Sequence, residues 1–401
     1  MKFAAAMSRL GTETAFEVLA RARALEAEGR NIIHLEIGEP DFATPTNVVR
    51  AGIAALEDGQ THYTPAPGIP ALRAAIAHDA ATRRGIAVDP AEVVVTPGGK
   101  PVMFFAIMAL VEPGDEVVYP NPGFPIYESM VNFVGGTAVP IKIDEARDFS
   151  LDAAHLCSLI GPRTRLVILN SPSNPTGGIL SRADLEMIAA TCQQYSDVMV
   201  LSDEIYSRML YEGEHVSIAA LPGMRERTII LDGFSKTYAM TGWRLGYGIM
   251  PVELAQHITR LMTNSNSCTA TFTQLAGVEA LTGPQDAPAA MVEEFRARRE
   301  LIIAGLNAIP GIACRMPHGA FYAFPNITGT GMSSREVADL LLQEAGVAAL
   351  AGTSFGAFGE GYIRLSYANS RENIQTALER IAHTLAGHHA TMPASAPAAN
   401  A

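Results

Sequence analysis

"TIILDGFSKTYAMTGWR", residues 228–244, joins two kinds of chain. Its first six residues are apolar and β-branched enough to read as a strand that closes on Asp232-Gly233. The continuation holds one lysine, Lys236, among Phe234, Tyr238, Met240 and Trp243, the chain's only tryptophan. Such surroundings disfavour an ammonium ion, because burial favours the neutral amine. A lysine on a turn ordinarily keeps its head in water and lays its stem on apolar surface. The alternative is a lysine used as an amine, which forms a Schiff base with a carbonyl.

Outward from this stretch the same strand-then-turn pattern recurs. "EVVVTPGG" (92–99), "EVVYP" (116–120), "TAVPIKI" (137–143), "RLVILNSP" (165–172) and "VMVLSDEIY" (198–206) read as strands. Between them "KPVMFFAIMALVEPG" (100–114), "PIYESMVNFVGG" (125–136) and "SRADLEMIAATCQQY" (181–195) read as helices, the last with Ser181 as N-cap. Residues 14–28 and "PALRAAIAHDAATRRG" (70–85) read as further helices, and "IIHLEIG" (32–38) as a short strand. Apolar β-rich runs alternating with helices imply an α/β fold whose largely parallel sheet is covered on both faces. After about residue 285 the pattern changes, and a long charged helix, "AAMVEEFRARRELIIAGLNAI", opens a mixed region. The expected division is an N-terminal segment 1–45 packing with the small domain, a large ligand-binding domain 46–285, a small α+β domain 286–386 and a disordered tail 387–401.

At 401 residues the chain is long enough for two domains. A net charge of -12 argues against a nucleic-acid binder or a membrane-surface protein. Cys157, Cys192, Cys268 and Cys314 form no C-x-x-C pair, so neither a zinc knuckle nor a disulfide framework is expected. With no export signal and no apolar run near the ~20 residues of a membrane span, the expected compartment is the cytoplasm.

The chemistry-bearing residues fall at the carboxyl ends of the strands, where open α/β sheets bind ligands. "TPGGK" (96–100) leaves a strand and opens a helix. Gly98 and Gly99 admit a ligand close to the backbone, and the helix start offers free N–H donors to a phosphate. An ordinary strand-to-helix turn fits the same residues. "NSPSNPTGG" (170–178) is either a plain turn cluster or a stiff loop that aims the amide of Asn174. Asp203, in "LSDEIY", ends an apolar strand and needs a partner there: a helix cap, an ion pair, or a cationic ring nitrogen. Tyr206 follows three residues later. A phosphate cradle, a carboxylate for a pyridinium nitrogen and an amine for a Schiff base together match pyridoxal 5'-phosphate. Ser235 and Arg244 add a hydroxyl and a guanidinium for its phosphate.

"NPTG", "SDEIY", "SKTYAMTGWR" and "IRLSYA", in this order and spacing, resemble the fold-type I, class I/II aminotransferases, in particular the bacterial aspartate-aminotransferase-like branch. The resemblance runs from "GEPDF" to "GYIRLSYA" and implies a seven-stranded-type sheet, pyridoxal phosphate and ping-pong transfer of an amino group from an L-amino acid to a 2-oxo acid. Aspartate with 2-oxoglutarate is one candidate pair. It further implies that Lys236 carries the cofactor and moves the proton, that Asp203 pairs with the ring nitrogen, and that Asn174 and Tyr206 hold the ring's phenolic oxygen. Phe124 would stack on the ring. Gly98, Gly99, Lys100, Ser235 and Arg244 would hold the phosphate, the first three through backbone. Arg364 would clamp the substrate α-carboxylate with help from Gly38. Tyr63, in "YTPAPGIP", would reach the phosphate of the neighbouring subunit of a homodimer with shared active sites. No metal, nucleic acid or membrane enters this picture.

A C–S β-lyase on the same fold shares every one of these residues. A non-catalytic cofactor-binding sensor is a second alternative, but it would need an added DNA-binding module ahead of the pattern. No arginine stands around Met262–Asn264, where aspartate-specific relatives place a distal clamp, and Arg260 lies on the preceding helix. Phe3, Phe42 and Met240 are candidates for an apolar side-chain pocket instead. These residues imply broad or neutral-leaning donor use, with 2-oxoglutarate or pyruvate as acceptors.

Overall fold

The computed structural model describes residues 1–391. Seven strands form its central sheet: β1 (Val93–Thr96), β2 (Glu116–Asn121), β3 (Thr137–Lys142), β4 (Thr164–Asn170), β5 (Met199–Asp203), β6 (Thr228–Gly233) and β7 (Gly246–Ile249). Their spatial order is β1-β7-β6-β5-β4-β2-β3. All pairings are parallel except those of β7, which runs antiparallel to both β1 and β6. β1, β6 and β7 are buried along their whole length, as a sheet covered on both faces requires. One apolar core joins Val117, Leu166, Ile168, Leu201 and Ile229 to the helix Lys100–Leu110. On the other face, Val118, Val167, Leu169 and Val200 pack against the helix Arg182–Cys192. Ser181 caps that helix, accepting the Asp184 N–H at 3.1 Å.

β7, "GYGI", is absent from the sequence reading because glycine is depleted in strands and masks the pattern. Its glycines serve close approach: a Cβ on Gly246 would stand 2.5 Å from the Gly99 nitrogen. "IIHLEIG" is a strand only over Ile33–His34, which pairs with Val347–Ala348. Beyond it the chain stays hydrogen-bonded, Leu35 N–H to Ala348 O at 3.0 Å and Ser366 N–H to Leu35 O at 2.7 Å, and so delivers Gly38 to the site.

The C-terminal region builds a further core, shared with Tyr206 and Met209, around the helix Asp286–Asn307 and a three-stranded antiparallel sheet of Tyr322–Ala323, Leu350–Ala351 and Ile363–Ser366. Phe295, Phe321, Tyr322 and Tyr367 lie in this core, and Ile33 and Leu35 from the N-terminal segment join it. The expected tail needs correction at its start. The last helix runs Arg371–Thr391, because its apolar face (Ile374, Leu378, Ile381, Leu385) keeps packing beyond residue 380 and carries the backbone on. Residues 392–401 lie outside the described part.

Candidate functional site

Parallel pairing sets Asn170, at the end of β4, beside Asp203, at the end of β5, and Asp203 beside Leu231 of β6. The strand ends open into a cavity of about 550 Å³. The lining includes Gly38, Gly99, Lys100, Phe124, Asn174, Asp203, Tyr206, Ser235, Lys236, Arg244 and Arg364. Of the residues expected to hold the cofactor or the substrate α-carboxylate, two do not line it. Gly98 lies behind Gly99 with φ +91, and a Cβ there would stand 2.1 Å from Arg244 Nη2, so only glycine lets that guanidinium lie against the loop. Tyr63 is 88% exposed and contributes nothing to its own chain's cavity.

Lys236 donates from Nζ to the Gly38 carbonyl and lies 5.8 Å from the centre of the Phe321 ring. Burial depresses its pKa to about 8; the nearby Arg364 and Lys100 charges act in the same direction, and the carboxylates of Glu39 and Glu13 oppose it. The amine the sequence suggested is therefore substantially neutral in mildly alkaline solution. Asp203 Oδ2 accepts the Tyr127 hydroxyl at 2.6 Å, and its Oδ1 accepts the Ile205 N–H at 3.3 Å. Burial raises this carboxyl to about 6 despite both donors, with the Asp232 and Glu204 charges adding to the rise.

Successive residues of an extended strand end face opposite sides. Asp203 turns to the cavity, while Glu204 turns to the buried Arg84, whose Nε donates to Glu204 Oε2 at 2.6 Å. Arg84 also pairs with Asp232. Burial opposes ionisation of Glu204, yet Arg84, His215 and the Ser217 hydroxyl hold it well below the usual carboxylate range. Arg84, paired with both carboxylates, thus ties β5 to β6 on the side of Asp203 away from the cavity.

Arg364 comes from the C-terminal sheet and is 3% exposed. It donates to Asn174 Oδ1 at 3.2 Å and to the Glu36 carbonyl, while its buried Nε has no hydrogen-bond partner among the described residues. Tyr322 and Phe355 sandwich its guanidinium at 4.6 and 4.9 Å. Tyr322 also meets Tyr206, hydroxyl to hydroxyl, at 2.6 Å.

Four contributors escaped the sequence reading. Tyr127 lies in the first turn of the helix Ile126–Val134 and packs edge-on against Phe124 at 5.7 Å, and its place three residues after that aromatic was the available signal. Asn170 accepts the Asn174 N–H at 2.9 Å and donates to the Asp203 carbonyl at 3.0 Å, so it shapes the loop that carries Asn174. Tyr322 sits in a continuous apolar run, "AFYAF" (320–324), with nothing to distinguish it. Glu13, in the N-terminal segment, forms an ion pair with Lys100 at the cavity wall.

The apolar pocket expected of Phe3, Phe42 and Met240 is not formed. Phe3 is 70% exposed, Phe42 packs edge-on against Phe295 at 5.3 Å, and Met240 is fully buried in the core beneath Trp243. The cavity's apolar wall is made by Phe16, Ile37, Met103, Phe124, Leu350 and Phe355.

The donor set suits a phosphorylated, cationic aromatic carbonyl compound. The start of the helix Lys100–Leu110, Ser235 and Arg244 offer hydrogen bonds to a phosphate, and helix starts carry unpaired N–H groups. The Asp203 carboxylate would suit a cationic ring nitrogen, and the Lys236 amine a carbonyl.

The family model described as "Aminotransferase class I and II" matches residues 30–381. The aspartate aminotransferase of Rhizobium meliloti (strain 1021) is 39% identical over 94% of this chain and 95% of its own. The crystal structure of a Rhizobium meliloti aspartate aminotransferase superposes with TM-score 0.92 at 38% identity, covering 96% of this chain and 99% of that one. An aromatic aminotransferase from Pyrococcus horikoshii superposes with TM-score 0.87 at 39% identity, covering 92% and 99%.

Proposed function

The chain belongs to the class I and II aminotransferases and is a pyridoxal-phosphate-dependent transaminase, and we propose that Lys236, Asp203 and Arg364 divide its work. The convergence of this amine, this carboxylate and this guanidinium on one cavity with a helix start carries the assignment. Pyridoxal phosphate, when bound, supplies the electron sink that acidifies the substrate Cα–H bond. Lys236 would hold it covalently and, once released, would take the proton from the substrate Cα and deliver it to the cofactor carbon that had carried the carbonyl. A pKa near 8 suits a group that must both accept and donate in neutral to mildly alkaline solution. Asp203, positioned by Tyr127, would hold the ring nitrogen. Tyr206 and Asn174 would hold the phenolic oxygen, with Tyr322 orienting Tyr206. Gly98, Gly99, Lys100, Ser235 and Arg244 would receive the phosphate, and Phe124 would cover the ring. Arg364 and the backbone at Gly38 would clamp the substrate α-carboxylate, the planar fork matching the planar anion.

The same reading includes the assembly and its setting. The exposed Tyr63 serves the neighbouring site of a homodimer. Residues 46–285 act as the cofactor domain and 286–386, with 1–45, as a small domain that brings Arg364. The enzyme works in the cytoplasm, in line with four free cysteines. No helix of the described residues is long and apolar enough to cross a membrane. The donor set is broad: it includes aspartate and large apolar amino acids, with 2-oxoglutarate or pyruvate as acceptor. Relatives named for aspartate, a solved structure named for aromatic substrates and the phenyl-lined wall beside Lys100 support this.

Single-turnover mixing of the holoenzyme with aspartate, alanine, leucine and phenylalanine, following the oxo acid released, tests the reading. Each donor should yield stoichiometric oxo acid and no ammonia. Aspartate exceeding every neutral donor by a thousand-fold in rate per concentration would contradict the broad-donor reading.

A further inference from the structure

Lys100 is the ammonium at the side of the cavity where Phe16 and Phe124 lie, 6.0 and 5.6 Å from its Nζ to their ring centres. That ammonium already has a carboxylate partner, Glu13, whose side chain is only 17% exposed. Glu13 precedes the helix Ala15–Ala27 and faces the cavity from the N-terminal segment. Its charge is felt at the centre of the site, by Lys236, Arg364 and Tyr322. We propose that Glu13 is a specificity-determining residue: it occupies Lys100 from within the protein, so a substrate with a second carboxylate must compete with it for that ammonium, whereas a neutral or aromatic side chain lies along Phe16 without disturbing the pair. The inference rests on the transaminase site described above and names the substrate class it favours, large uncharged amino acids over dicarboxylic ones.

The electrostatic logic is direct. A dicarboxylate gains its ion pair with the half-exposed Lys100 ammonium only by sharing it with Glu13 or displacing that residue, and either way it sets its own carboxylate beside that of Glu13. Removing the Glu13 charge while keeping its shape frees Lys100 for the ligand. A charge-assisted hydrogen bond then contributes about ten- to hundred-fold in affinity.

The test is a pair of non-reacting probes, maleate and 3-phenylpropanoate, titrated into the holoenzyme by calorimetry. In Glu13→Gln the maleate dissociation constant should fall at least tenfold, and that of 3-phenylpropanoate should change less than twofold. The ratio of kcat/KM for aspartate to that for alanine should rise by a similar factor. In Glu13→Gln/Lys100→Met the maleate gain should vanish. Equal movement of both probes would reveal a merely structural tie between the N-terminal segment and the helix, and would overturn the proposal. So would an unchanged or weaker maleate affinity, or a gain that survives in the double variant. Failure of the wild-type holoenzyme to transaminate any donor would overturn the functional reading alone, since the maleate comparison needs no turnover.

Discussion

Two residues hold unlike protons, and both readings can be checked in the cofactor-free protein. The Asp203 carboxyl titrates near 6 in the fold against about 3.8 in an unfolded chain. The folded state therefore binds more protons between these values, and stability falls as pH rises through the window, reaching its full loss above 6. Asp203→Asn should stabilise the cofactor-free protein by about 2–3 kcal/mol at pH 7 and by almost nothing below pH 4, read from urea midpoints. Tyr127→Phe removes the 2.6 Å donor, so the Asp203 carboxyl should titrate higher still by isotope-edited infrared spectroscopy. Lys236 behaves in the opposite sense. Its folded pKa, near 8, lies below the ordinary lysine value, so the unfolded chain binds the extra proton and stability rises with pH between the two. Lys236→Ala should abolish covalent cofactor attachment, seen as loss of the Schiff-base absorption band. Transamination should fall by about 10²–10⁴-fold or more.

At the scale of elements, the cofactor cup depends on an antiparallel strand passing under a loop. β7 crosses beneath the Gly98-Gly99 turn so closely that a Cβ on Gly246 would stand 2.5 Å from both the Gly98 carbonyl carbon and the Gly99 nitrogen. Both contacts are backbone and cannot swing away. Gly246→Ala should displace the turn, raise the cofactor dissociation constant at least tenfold in equilibrium dialysis, and lower stability by about 1–3 kcal/mol. This dependence was invisible in the sequence, where "GYGI" reads as a break between better-patterned segments. The parallel strands were legible because a sheet buried on both faces demands continuous apolar runs, such as "RLVIL". Their carboxyl ends were legible for the same reason: a polar residue such as Asp203 stands out when it closes an apolar run. Tyr322 and Glu13 were not, because each reaches the site from an element far away in sequence and follows no local rule. Phe42 and Met240 show the converse error, since aromatic and methionine residues near a motif more often pack a core than line a cavity.

For the whole molecule, the homodimer proposed above gives the exposed Tyr63 a role that can be tested. Mixing inactive Lys236→Ala chains with weakened Tyr63→Phe chains under exchange conditions should restore activity above that of either parent, because one hybrid site draws both intact residues from different chains. A fully active monomer in sedimentation would contradict it. Within one chain, the cavity is walled from two sheets whose cores interlock: Tyr206 and Met209 join the C-terminal core, and Leu350 and Phe355 join the core of Val118 and Val167. Asp203 ends β5 and Lys236 follows β6 of the central sheet, while Arg364 and Tyr322 belong to the three-stranded C-terminal sheet. A substrate whose amine lies at Lys236 and whose carboxylate lies at Arg364 is then a rivet between two bodies, and its binding free energy is lost if either one melts. Calorimetric scans of the holoenzyme should accordingly change in shape as well as position: a broad or split endotherm without a substrate analogue, and one sharp transition when the rivet is in place.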